Sequence, residues 1–272
     1  MGSMMESTLT PEQHALLAAV LVAQTESLGV LEIPVVEDLL RRHRCRRVLD
    51  IGCGEGSFLL RLARHYEDAH FVGIDHRELA VKDAVRQLRS GSPPNVEFRT
   101  AFFDPSYEPA TYDAILTRYT LQHCSEPRAF VSGVFDRLEP GGAFVAVESL
   151  DAYTDCHEHD PLWERFRASI AAIHDRIGSN PNVGKSLGRL LSQAGFRDIQ
   201  VRILLCSPAT VGWARFRAVV QASAELAASF FPDLFDRDLF DRLTPWLDDR
   251  AELERKDPYL ASAIANGTRA AA

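Results

Sequence analysis

One segment, Val48-Leu49-Asp50-Ile51-Gly52-Cys53-Gly54-Glu55-Gly56-Ser57-Phe58, does most to limit what this chain can fold into. A short apolar run enters a loop with glycine at every second position, and an amphipathic run leaves it. Such a strand, loop and helix let the backbone turn tightly and let a ligand touch main chain with no Cβ in the way. The spacing sorts the ligands. A dinucleotide fingerprint is GxGxxG, whereas Gly52, Gly54 and Gly56 give GxGxG with Ser57 next. No Gly-Lys-Ser/Thr follows, which excludes a Walker loop. Asp50 and Glu55 would repel a pyrophosphate but suit a ligand with a cationic amino-acid portion and a sulfonium.

Around this loop, β-rich runs alternate with amphipathic helical runs, the pattern of a parallel sheet in a doubly wound fold. The strands expected are Arg47–Ile51, His70–Ile74, Val96–Arg99, Ala114–Thr117, Ala143–Val147 and Ile199–Leu205. The helices between them are expected at Gly56–His65, Glu78–Arg89, Pro127–Leu138 and Leu187–Ala194, with Pro140-Gly141-Gly142 as a helix-to-strand turn. Thr10 and Pro11 open an N-terminal helix running to about Leu28, and a second is expected from Pro34 to His43. Past Leu205 the pattern turns mostly helical, then Ala261–Arg269 reads as a final strand. The organisation expected is residues 1–44 as a helical lid, 45–206 as the core, 207–257 as a helical cap insertion and 258–272 as a final strand and tail.

A net charge of -8 argues against a nucleic-acid partner, which needs clustered basic residues. The basic cluster Arg41, Arg42, His43, Arg44, Arg46 and Arg47 reads as a solvated helix end. Five cysteines with no CxxC pair read as reduced thiols of a cytoplasmic protein. No apolar run is long enough for a membrane span, no signal peptide is visible, and Met1 to Met4 look like an expression scar. Oligomeric state, monomer or homo-oligomer, stays open.

The second signal is Phe71-Val72-Gly73-Ile74-Asp75-His76. A carboxylate at the end of the next strand can accept both ribose hydroxyls, one oxygen each. Val48–Phe58, Gly73–Asp75, Tyr112-Asp113-Ala114-Ile115-Leu116 and Leu138-Glu139-Pro140-Gly141-Gly142 stand in order. Together they resemble the ordered motifs of class I S-adenosylmethionine (SAM)-dependent methyltransferases, in the branch that methylates small molecules such as quinone precursors and secondary metabolites. The resemblance covers about residues 45–150 and, more weakly, Gly184–Arg202. It implies an α/β fold: a doubly wound, mostly parallel, Rossmann-like sheet with N-terminal helices and a C-terminal helical cap.

That resemblance implies cofactor-binding roles for Asp50, Gly52, Cys53 and Gly54 on the methionine portion, Asp75 on the ribose and His76 near the adenosine. Thr117-Arg118-Tyr119 would line the methionine side, with Arg118 toward the cofactor and Tyr119 toward the substrate. In place of the Asp that the family often carries after the third strand stands Thr100-Ala101-Phe102-Phe103-Asp104, so Phe102 or Phe103 would stack on adenine. Asp104-Pro105-Ser106-Tyr107 mimics a DNA-adenine methyltransferase box but precedes the fourth strand instead of following it.

Methyl transfer is an in-line displacement that positioning can largely drive, and a base matters only if the acceptor must lose a proton. His123, after the fourth strand, is the candidate base, its alternative a packed or capping histidine. Glu148 and Asp151, after the fifth strand, are candidate substrate residues, with surface solvation and helix capping as the alternative. Trp163 and Phe166, with Trp213 and Phe216, are candidates for an aromatic wall; aromatics at such spacing also build cores. Cys156-His157-Glu158-His159-Asp160 lacks the distant second pair of a zinc site, so no metal is expected and a mobile acidic loop is. The expected function is methylation of O, N or C of a small organic molecule. A SAM-fold enzyme with another chemistry such as cyclisation, or a non-catalytic partner protein, is the alternative.

Overall fold

The computed structural model describes residues 9–88, 93–104 and 111–271. In chain order the elements are α1 (Pro11–Ser27), α2 (Gly29–Arg42), β1 (Arg47–Ile51), α3 (Ser57–His65), β2 (His70–Asp75), α4 (Glu78–Gln87), β3 (Val96–Thr100) and β4 (Tyr112–Arg118). Then come α5 (Pro127–Arg137), β5 (Leu138–Ser149), β6 (Asp155–Cys156), α6 (Pro161–Ile177), α7 (Leu187–Ala194) and β7 (Arg197–Cys206). The chain finishes with α8 (Pro208–Val211), α9 (Trp213–Phe230), α10 (Arg237–Asp248), α11 (Arg250–Lys256) and β8 (Pro258–Thr268). The expected end of the fourth-element helix at Arg89, the Pro105-Ser106-Tyr107 stretch and Met1 to Met4 lie outside the described residues. Among the described residues no single helix is long and apolar enough to cross a membrane.

The described residues form two compact units. The sheet unit draws on residues 32–149, 183–203 and 263–272; the helical unit on 1–31, 150–182 and 204–262.

In the sheet unit the strand order is β3-β2-β1-β4-β5-β8, with β7 pairing β8. β1, β2, β3, β4 and β5 run parallel, and their C-terminal ends align: Ile51 opposes both Ile74 and Thr117, Asp75 opposes Thr100, and Arg118 opposes Val147. The strands are apolar on both faces, as a sheet covered on both sides requires. Val48, Leu49, Phe71, Ile74, Ile115 and Phe144 are all fully buried, each such side chain stabilising the fold by about 1.5–3 kcal/mol. The chain leaves β1 toward β2 on one side and returns as β4 on the other. Strand order therefore reverses at β1, and ligands of such sheets sit beyond the strand ends at that point.

Several boundaries differ from expectation. α2 begins at Gly29 and carries Pro34 inside, because burial of Ile33, Val36, Leu39 and Leu40 outweighs the lost hydrogen bond. β5 begins at Leu138, so Pro140-Gly141-Gly142 lies inside the strand, where Gly141 takes φ 84° and the pairing with β4 shifts register near Tyr112. β8 begins at Pro258 rather than Ala261. Residues 157–160, expected as an acidic loop, run without helix or strand from β6 into α6, whose Asp160 accepts from the backbone N–H groups of Leu162 and Trp163 ahead of Pro161.

The helical unit joins α1 to α9, with Ser27 Oγ donating to the Arg215 carbonyl at 2.7 Å. Its core is aromatic: Trp163 stacks on Phe166 and Trp246, and Phe216 and Phe235 close the cluster. In the same unit β6 pairs antiparallel with the first residues of β8.

Candidate functional site

The loop after β1 carries Gly52, Gly54 and Gly56 at φ 80°, 58° and 85°, a backbone that only glycine adopts without strain. The N–H groups of Gly52 and Cys53 both donate to the Ile74 carbonyl, at 2.8 and 3.0 Å, which ties the loop to β2. Gly54 N–H donates to Asp75 Oδ2 at 2.9 Å. Asp75 Oδ1 accepts from Arg77 N at 2.9 Å and lies 3.6 Å from His76 Nδ1. Loop and β2 end are thus one hydrogen-bonded unit. Cys53 is buried, and desolvation holds its thiol well above its ordinary pKa. Glu55 turns back to bond Ser57 and Gln87, capping the start of α3.

Asp50 is 2% exposed and its Oδ1 has no hydrogen-bond partner. Burial lifts its pKa to about 7 although the Arg118 charge opposes the shift. Arg118, at the end of β4, donates from Nε to Glu32 Oε2 at 2.6 Å. Its guanidinium lies 4.9 Å from the Phe58 ring centroid and 4.7 Å from that of Tyr119, and Nη2 has no partner. Tyr119 sits at φ 51°, with its N–H on the Val147 carbonyl at 2.7 Å and its hydroxyl on Glu32 Oε1 at 2.7 Å.

The next residues are organised by Glu148. Its carboxylate accepts the backbone N–H groups of Thr120, Leu121 and Gln122 at 3.0, 2.8 and 3.2 Å. It is fully buried, and desolvation outweighs those bonds to push its pKa up to about 8. Glu148, expected to face substrate, instead lies fully buried beneath the loop after β4 and shapes it. His123 ends the short helical turn Leu121–His123 and is exposed, its Nε2 3.3 Å from Gln122 Nε2.

The two phenylalanines after β3 part company. Phe102 is 66% exposed and stands edge-on to His76, with ring centroids 6.1 Å apart. Phe103 packs against Phe130 of α5 at 5.2 Å, so it is the Phe102 ring that stays beside the Asp75 end of β2. Asp151 and Trp163 belong to the helical unit. Asp151 keeps a half-buried carboxyl, raised to about 6 by desolvation, 4.0 Å from His174 Nε2. Trp163 is fully buried and its indole N–H donates to the Asp155 carbonyl at 2.9 Å. With both ring faces packed, Trp163 is core, as are Phe166 and Phe216, while Trp213, the fourth member of the expected aromatic wall, is half-buried and donates its indole N–H to the Leu247 carbonyl at 3.1 Å. Of the acidic and histidine-rich stretch, Glu158 pairs with Arg255 and Asp160 caps α6.

Sequence reasoning missed Glu32, Thr120 and Gln122. Glu32 did carry a signal, a carboxylate inside the apolar run Val30-Leu31-Glu32-Ile33. Buried polar atoms without partners also carry information, because each costs stability unless something meets it. Two of them, Asp50 Oδ1 and Arg118 Nη2, lie on one face of the sheet at the ends of β1 and β4, near enough for the Arg118 charge to act on Asp50; Thr117 Oγ1 points to the other face. Acceptors for an ammonium and a guanidinium N–H for a carboxylate match the amino-acid end of SAM, and the glycine loop admits its chain past main chain. The donor set fits the cofactor.

A family model described as a methyltransferase domain matches residues 43–183. The chain is 30% identical over 155 residues to phosphoethanolamine N-methyltransferase 1 of Triticum aestivum, covering 57% of this chain and 29% of that protein. It therefore spans less than a third of that relative. It is 29% identical over 166 residues to an S-adenosyl-L-methionine-dependent Diels-Alderase of Talaromyces variabilis, covering 57% of this chain and 54% of the relative. The crystal structure of the cyclase SpnF matches in fold, with TM-score 0.54 at 20% identity over 87% of this chain and 80% of that one. The chain belongs to the methyltransferase-domain family, and its sheet is that of the class I SAM-dependent methyltransferases.

Proposed function

We propose that this chain transfers the methyl group of SAM to an O, N or C atom of a small organic molecule. The observation that carries the reading is the pair of unmet polar atoms, Asp50 Oδ1 and Arg118 Nη2, at the switch point of the sheet, beside a glycine loop bonded to Asp75. The cofactor supplies a methyl carbon activated by a positively charged sulfur. Every other part falls to the protein. Asp75 accepts from the ribose hydroxyls with the lone pairs that Gly54 and Arg77 leave. His76 and Phe102 flank the adenosine. Asp50 and Arg118 take the charged amino-acid end, with Gly52, Cys53 and Gly54 lining its path. Tyr119 serves the acceptor. His123, an exposed imidazole, takes the acceptor's proton where one must leave. A net charge of -8 suits a small acceptor and not a nucleic acid.

A second reading is favoured by the likeness to the Diels-Alderase: the same pocket bound to SAM, with ring closure in place of methyl transfer. Calorimetric titration with SAM and S-adenosylhomocysteine, followed by radiolabelled methyl transfer to a panel of phenols, amines and enols, separates the two. Micromolar binding with label transfer supports the methyltransferase. Binding with no transfer to any acceptor, alongside turnover of a polyene, would favour the cyclase. Failure of both ligands to bind ends either reading.

A further inference from the structure

Both oxygens of Glu32 are committed to residues that follow β4. Oε2 takes Arg118 Nε and Oε1 takes the Tyr119 hydroxyl, at 2.6 and 2.7 Å. Glu32 is 1% and Arg118 9% exposed at the side chain, so the pair is desolvated and its bonds are charge-assisted. An arginine fork held at Nε, with its plane over the rings of Phe58 and Tyr119, has little rotational freedom left. Nη2 is thereby aimed without a partner of its own. Tyr119 holds a left-handed backbone, φ 51°, which persists only where its surroundings over-determine it. The Glu32 bond to its hydroxyl is one of the contacts that do so.

We infer that Glu32 is a positioning residue: it fixes Arg118 so that Nη2 receives an amino-acid carboxylate while Asp50 Oδ1 accepts from the same ligand's ammonium. The inference rests on the cofactor reading above and makes α2 part of the amino-acid end of the pocket. Glu32 touches no ligand itself. Its effect passes through Arg118, so it must show on ligands that carry the amino-acid end and vanish on those that lack it. The nucleoside end, held by Asp75, is indifferent to it.

Calorimetric titration of the intact chain with S-adenosylhomocysteine and with methylthioadenosine, which lacks the amino-acid end, reads this directly. Glu32→Ala is expected to weaken S-adenosylhomocysteine about tenfold, the worth of one charge-assisted contact, and to leave methylthioadenosine within about twofold. Glu32→Gln keeps an acceptor for Arg118 Nε and a group for the Tyr119 hydroxyl, and restores most of the loss. Retained methylthioadenosine binding shows that each variant is folded. If Glu32→Ala does not fold, Glu32→Asp, which shortens the reach to Arg118, carries the same comparison. Equal loss on both ligands, no loss on either, or no recovery in Glu32→Gln overturns the inference while the cofactor reading stands. A wild-type chain that binds neither ligand overturns both.

Discussion

Gly52 and Thr120 stand so close that a Cβ on the glycine would lie 2.4 Å from Thr120 Oγ1. The loops after β1 and β4 are therefore packed main chain to side chain, and Thr120 Oγ1 is itself 3.2 Å from the Ile51 carbonyl. Gly52→Ala meets this contact and the φ of 80° together. The left-handed backbone alone costs about 1–2 kcal/mol. Differential scanning calorimetry should show a lower Tm, and S-adenosylhomocysteine affinity should fall, because Thr120 must move and its N–H is bonded to Glu148. A variant with wild-type Tm and affinity would show that the two loops are not locked together.

Asp75→Ala should weaken S-adenosylhomocysteine and methylthioadenosine alike, by about 1.5–3 kcal/mol, since both ligands carry the ribose. Part of that loss is the Gly54 N–H left without its acceptor. Calorimetry that found only one of the two ligands weakened would move Asp75 away from the ribose.

The pH dependence of binding follows from Asp50. Burial raises its folded pKa from 3.8 to about 7. Its contribution to the stability of the ligand-free chain is whole below 3.8 and is lost as pH rises through 7. A ligand ammonium beside Oδ1 reverses this preference, favours the carboxylate and releases a proton on binding. S-adenosylhomocysteine should therefore bind more tightly as pH rises from about 5 to about 7, with methylthioadenosine nearly flat over that range. Asp50→Asn should flatten the first curve. A slope that survives in Asp50→Asn would assign the proton to another group.

Trp163→Ala should cost about 3–5 kcal/mol, the usual penalty for emptying an aromatic core site, read as a drop in Tm. Trp163→Phe, which refills most of the volume but drops the bond to the Asp155 carbonyl, should cost less. A Trp163→Ala chain as stable as wild type would contradict the packing on Phe166 and Trp246.

The parts that sequence made legible are those coded locally. Gly52, Gly54 and Gly56 need their φ angles wherever they occur, and alternating β and helical runs sort themselves by period. Asp75 was legible because a strand end and a glycine loop have a fixed relation in a doubly wound sheet. Glu148 was placed by the same strand-end logic, but three backbone N–H groups drew its carboxylate inward, and no local pattern announces such a nest. Arg118 and Glu32 are far apart in the chain, so their pairing is invisible to any window on the sequence. α6 was legible and overlooked. Asp160-Pro161 is a helix start, and Trp163, Phe166, Ile170, Ile173 and Ile177 keep helical spacing, but the acidic and histidine-rich residues before them drew attention to metal chemistry.

The unmet polar atoms at the ends of β1 and β4 bear on how long the protein lasts. A chain that has dehydrated one carboxylate oxygen, a hydroxyl, an amide oxygen and one guanidinium nitrogen without answering them has left its folding unfinished. Whatever small molecule answers them shifts the folded fraction by mass action, in proportion to how far its concentration exceeds its Kd. The supply of that molecule would then act as a thermostat on turnover: when it is scarce, opened chains become more frequent and proteases clear them faster.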